Sequence, residues 1–186
     1  MNSPERFALL NRQDRAFITG TVEKLNDQWV FFDDENDEAT MLEFFDDYQL
    51  EVMNHNKWRV AEILSDHELA VEGVALPLLD GMELRFKKKL TLSLGTLLED
   101  ISDEAFLHFL TTLNSLNYSI FDCIYCHNHL TFLEGRKIKQ GVNFIIFDNG
   151  DEICNVQHHF SYYQRHRDRF EFTNSTGKRI IIEKIE

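Results

Sequence analysis

Two of the three cysteines and two of the eight histidines in this chain of 186 residues fall in one short run: Cys123, Cys126, His127 and His129. Thiolate and imidazole hold borderline metals, and paired thiols exchange disulfides. Cys123-x-x-Cys126-His127 spells the c-type haem attachment pattern, but that chemistry follows export. The start, Met1 to Arg6, lacks the basic and then apolar run of an export signal. A redox dithiol needs a helix N-terminus or a cation to stabilise its thiolate. This pair instead sits among Phe121, Ile124, Tyr125 and Leu130, in an apparent strand. On a regular strand, Cys123 and Cys126 point to opposite faces, whereas His127 and His129 share one. A zinc or other divalent-metal site would therefore use His127 and His129 with a third donor from elsewhere. His158 is the first choice, with His159 and His166 behind it. Asp122 or Glu152 would then serve as the base of a metal-dependent hydrolase. The simpler reading is a buried strand whose cysteines act as small hydrophobes, with no catalytic residue and no cofactor.

A second cluster spans 158–167 and mixes aromatic with cationic side chains. His159, Tyr162, Tyr163, Arg165 and Arg167 form a candidate interaction surface. It offers a basic patch to the acidic 33–47 segment, in a second copy or in the same chain. That segment begins Asp33-Asp34-Glu35 and looks like a calcium loop. Counted from Asp33, however, Glu38 stands where an EF-hand needs glycine and Phe44 where it needs a bidentate carboxylate. It reads as a solvated acidic loop.

The elements that must position these residues are mostly strands. Period-two patterning runs through Phe17–Glu23, 28–32, 49–53, 57–64, 68–74 and 82–90. Asn26-Asp27, 54–56, 65–67 and 79–81 read as the turns between them. Short strands with tight turns predict a small SH3-like β-barrel over residues 1–91, preceded by a short helix or arm. Trp29 and Trp58 fill its core or line a peptide surface, with the core favoured. The basic run Arg85 to Lys89 caps a strand edge. In the second half, Leu94, Leu97, Leu98 and Ile101 repeat at helical spacing, as do Phe106, Phe109, Leu110 and Leu113. Helices near 92–100 and 103–116 follow, the second capped by Ser102. Residues 92–186 then form an α+β domain: a helical pair packed on a meander of four or five antiparallel strands. The first of these strands spans about 119–133. Asn149-Gly150 predicts a two-residue hairpin that sets Ile145 against Cys154.

The net charge is −13, with 19 acidic and 10 basic side chains in residues 1–93 and 13 and 9 in the rest. So acidic a surface repels phosphate backbones and anionic lipid, which argues against nucleic acid or membrane as partner. No window reaches 18 apolar residues, and the expected compartment is the cytoplasm. The phrases 113–117, 121–130 and Asp168-Arg-Phe-Glu-Phe172 resemble an uncharacterised family of hypothetical proteins from spore-forming Gram-positive bacteria. The resemblance covers both halves and implies no activity, cofactor or catalytic residue. The reading favoured by the sequence is a cytoplasmic protein-interaction or regulatory protein, not an enzyme, that binds another protein or itself.

Overall fold

The computed structural model describes residues 3–36, 38–65, 68–163 and 165–185. The expected turn at 65–67 lies largely outside them. The chain is mainly β, with few helices and two antiparallel sheets. It divides into two compact units, Ala16–Lys89 and Met1–Arg15 together with Leu90–Glu186.

Helix α1 (Ser3–Leu10) opens the chain. It groups with the C-terminal unit, not with the first 91 residues as the strand pattern suggested. Long-range ion pairs account for this. Arg6 donates to Asp103 and to the Leu98 and Ile101 carbonyls, and Arg15 forks onto Asp122. Such pairs leave no periodic trace in a sequence.

The Ala16–Lys89 unit contains β1 (Phe17–Leu25), β2 (Gln28–Asp33), β3 (Ala39–Met41), β4 (Leu50–Asn54), β5 (Lys57–Ser65), β6 (Glu68–Val71), β7 (Val74–Pro77) and β8 (Met82–Lys87). They form one sheet in the order β3-β2-β1-β8-β4-β5-β6-β7. Three hairpins turn on two residues that both have positive φ: Asn26-Asp27, His55-Asn56 and Glu72-Gly73. The third splits the single strand expected over 68–74 into β6 and β7. Among the described residues no rung joins β3 to β7, so the closure that an SH3-like barrel requires is not found. Phe31, Leu84, Phe86, Val52 and Leu69 are buried in one core. A 3-10 turn at Leu42–Phe45 stacks Phe45 on Phe86, with ring centroids 4.1 Å apart. Trp29 packs half-buried against this core. Arg85, from the basic run, is held between the rings of Phe17 and Trp58 and paired with Glu51.

In the other unit, α2 (Leu92–Asp100) and α3 (Asp103–Ser115) start at the side-chain caps Thr91 and Ser102. Five strands follow: β9 (Cys123–His127), β10 (Lys139–Asp148), β11 (Ile153–Tyr162), β12 (His166–Asn174) and β13 (Arg179–Ile185). Their order, β13-β12-β11-β10-β9, is a plain meander. Leu94, Phe106, Phe109 and Leu113 bury against Ile145, Phe147, Val156 and Phe172 on one face of the sheet. The β10–β11 turn is four residues long rather than two, because Gly150 alone takes positive φ. Asn149 Oδ1 accepts the Asp151 and Glu152 N–H groups and so stabilises the longer loop. Phe147, not Ile145, therefore faces Cys154. A slip of two residues leaves every side chain on its expected face.

Candidate functional site

The Cys/His run is less regular than a strand. A 3-10 turn at Ile120–Asp122 precedes β9, and β9 ends at His127. A bulge occurs within it, since Tyr125 pairs with Ile146 but Cys123 pairs with Phe147. The extra residue, Ile124, restores parity, so Cys123 and Cys126 both pack against the helix-side core. The expectation that they point to opposite faces is therefore corrected. Both are nonetheless chemically quiet. Burial pushes the Cys123 thiol up to about 11 and the Cys126 thiol up to about 12. Cys154, in β11, is raised to about 11, again by burial first. A neutral thiol is a poor nucleophile and a poor ligand.

His129 lies beyond the strand, at the start of a 3-10 turn over Leu130–Leu133. Its ring lies over Gly141, where a Cβ would come within 2.5 Å of the imidazole. The His127 and His129 rings remain neighbours, with centroids 6.3 Å apart. His158 does not join them as a free donor. It is fully buried, with Nδ1 3.0 Å from Asn143 Nδ2 and Nε2 2.7 Å from Asp168 Oδ1. Among the described residues no group of three His, Cys, Asp or Glu side chains is placed to hold a metal ion. The two carboxylates suggested as bases already have structural partners. Asp122 accepts the Ser119 N–H and the Arg15 guanidinium, and Glu152 accepts the Asn174 amide.

His158 instead belongs to a sealed polar network. Asn143 Oδ1 accepts the backbone N–H of His129 at 2.7 Å and that of Leu130 at 3.3 Å. The Asn143 amide must then present Nδ2 to His158, so His158 Nδ1 is the acceptor. Its proton sits on Nε2 and is donated to Asp168, whose Oδ1 also accepts the Tyr162 hydroxyl. The imidazole stacks on Phe170 with centroids 4.3 Å apart. Asn143, His158 and Asp168 are 0, 0 and 3% exposed. An Asn-His-Asp relay invites comparison with a catalytic triad, but all three of these side chains lie buried. The network ties β10, β11 and β12 to the turn that follows the Cys/His run. Sequence reading missed Asn143 and Asp168, although parity marks them. Both occupy inward positions among apolar neighbours, as does His158.

Of the expected interaction residues, Tyr162 is turned into this network. Tyr163 is exposed, and Arg165 is exposed beside it. Arg167 pairs with Glu183, and His159 lies on the outer sheet face near Glu171. Glu171 is gripped by Arg179 and Arg169, and the Arg179 hydrogen bond holds its carboxyl below the usual range. Register places Tyr125, Phe144 and Ile153 on that same outer face, all about half exposed. The outer face is thus apolar at Tyr125, Phe144 and Ile153 on β9, β10 and β11, while β12 and β13 mix the charged Arg169, Glu171 and Arg179 with half-exposed Ile181.

Two antiparallel sheets, one backed by a helical pair and locked by a buried polar network, define a mainly β protein. The chain belongs to the family described as protein of unknown function (DUF2777), whose profile matches residues 4–184. It is 30% identical over 179 residues to the uncharacterized protein YisN of Bacillus subtilis (strain 168), covering 96% of this chain and 91% of that one. No solved structure matches the chain. Among the described residues no helix is long and apolar enough to cross a membrane.

Proposed function

We propose that this is a cytoplasmic, non-catalytic interaction protein, and that it docks another protein on the outer face of its five-stranded sheet. The observation that carries this reading is the exposed apolar set on that face. Tyr125, Phe144 and Ile153 are 52, 42 and 48% exposed, on the same face as the Arg169–Glu171–Arg179 cluster, with Gln157 of β11 between Phe144 and Glu171. An aromatic centre with an ionic rim matches the composition of protein interfaces. His159, Tyr163, Arg165 and Arg167 extend the rim; a second copy of the chain is the alternative occupant. The test is a photo-crosslinking amino acid placed at Phe144, with exposed Leu92 on α2 as the control position. One discrete crosslinked protein from Phe144 alone supports the reading. Equal yields from both positions, or none from Phe144, refute it.

The Ala16–Lys89 unit, in this reading, curls toward an SH3-like barrel. Support comes from its layout: among the described residues of that unit no α-helix screens its apolar face, and β2 and β5, four places apart in the sheet, line one groove. A divalent-metal function is the second reading, favoured only by the neighbouring His127 and His129 rings. Elemental analysis of protein purified without chelator tests it.

A further inference from the structure

The groove of the Ala16–Lys89 unit has a volume of about 660 Å³ and runs between the start of β2, the 3-10 turn and the end of β5. Its apolar lining includes Trp29, Met41, Phe45, Tyr48 and Leu64. Its charged lining is Asp27, Glu43, Asp46 and Glu62; no Lys, Arg or His is among the described residues that line it. Lys89, outside the lining, lies 4.4 Å from the Tyr48 ring centroid, an ammonium already at rest on that aromatic face.

The groove also has an open strand edge. β4 accompanies β5 from Lys57 only as far as Ala61, where Leu50 is the last partner. On its other side β5 continues to pair with β6 as far as Ser65, with a register shift between Ile63 and Ser65. The two-residue hairpin makes Asn54 and Lys57 a hydrogen-bonded pair, and such pairs alternate along the ladder. Lys57, Arg59 and Ala61 therefore point their main-chain groups at β4, and Ile63 is next in the series. By that alternation, which holds up to the shift after Ile63, its N–H and C=O are directed at the row that β4 has vacated. Among the described residues no strand occupies that row beyond Leu50.

We infer that this groove binds an extended, basic and apolar peptide segment of another protein, added as a short strand along Ile63 of β5. The main-chain groups of Ile63 would exchange two hydrogen bonds with one peptide residue. Apolar side chains would rest on Trp29, Phe45 and Leu64, while cationic ones would meet Glu43, Asp46 and Glu62. The surface belongs to a different unit from the sheet face proposed above, so either reading can fail alone.

The probe is a fluorescein-labelled Lys-Val-Arg-Ile-Lys-Val peptide, titrated with the full chain at low salt and followed by anisotropy. Three reagents accompany it: the same peptide with a central N-methyl group, a Glu43→Gln/Asp46→Asn/Glu62→Gln variant, and a Glu99→Gln/Glu104→Gln/Asp151→Asn variant that removes equal charge from the other unit. Binding is expected to weaken by about tenfold in the first variant and by less than about twofold in the second. N-methylation, which removes a main-chain donor without changing charge, should weaken binding by about tenfold as well. No binding at millimolar protein, equal weakening in both variants, or indifference to N-methylation would each overturn the proposal. Tryptophan emission of each variant before titration confirms that the groove is still folded.

Discussion

Replacing His158 by phenylalanine isolates the polar contribution of the buried network. Phenylalanine keeps the ring volume and can keep the stack on Phe170, so little cavity forms. Two hydrogen bonds are lost. Asn143 Nδ2 is left with no acceptor in a site of zero exposure, which costs about 1–3 kcal/mol. Asp168 loses the donor at 2.7 Å but keeps the Tyr162 hydroxyl, a further loss of about 1.5–3 kcal/mol for a bond to a charged group. The sum, about 2.5–6 kcal/mol, is a large part of the stability of an ordinary domain. Urea unfolding followed by far-UV circular dichroism measures it, and hydrogen exchange on peptides from β10, β11 and β12 locates it. Trp29 and Trp58 both lie in the Ala16–Lys89 unit and report separately on that unit. A loss below about 1 kcal/mol would mean that the ring nitrogens of His158 carry no net stabilisation, and the network as described would be wrong.

Three further outcomes are expected. Gly141→Ala drives a methyl group to 2.5 Å from the His129 ring; a cost of about 1–3 kcal/mol should appear as a lower melting temperature, with the His127–His129 neighbourhood disturbed in NMR spectra. Arg15→Ala leaves the buried Asp122 carboxylate with the Ser119 N–H alone and should cost about 3–5 kcal/mol by chemical denaturation, whereas Arg59→Ala, at an exposed pair with Glu72, should cost less than about 1 kcal/mol. All three thiols should resist iodoacetamide in the native state at pH 8 and react on unfolding. Because burial raises their ionisation from 9.0 to about 11 or 12, their contribution to stability is complete below pH 9 and is lost as pH rises toward 12; a melting temperature independent of alkali over that range would contradict the burial.

Periodic features were legible in the sequence, and singular ones were not. The helix over Leu92–Asp100 and the five-strand meander follow from spacing that repeats over whole segments. The bulge at Ile124 does not, because one extra residue changes no composition, yet it reverses the faces of the cysteines. The β10–β11 loop was misjudged because Asn149-Gly150 suits a two-residue turn, while the amide oxygen of Asn149 stabilises a four-residue one. Glu72-Gly73 was hidden between apolar neighbours that read as one strand. Asn143 and Asp168 were missed and His158 was read as a metal donor, although alternation along β10, β11 and β12 puts all three at inward positions. Their meeting depends on strand register, which only the pairing of β10, β11 and β12 supplies.

The ion pairs of the N-terminal arm bear on the order in which the chain can mature on the ribosome. Arg6 and Arg15 are made before the Ala16–Lys89 unit, but Asp103 and Asp122 emerge only after it. At about 5–20 residues per second, the arm waits several seconds for its partners. During that interval the intervening sheet can complete its local hairpins, while the amphipathic α1 segment remains available to chaperones. The last pieces of the C-terminal unit to assemble would thus include residues translated before the Ala16–Lys89 unit.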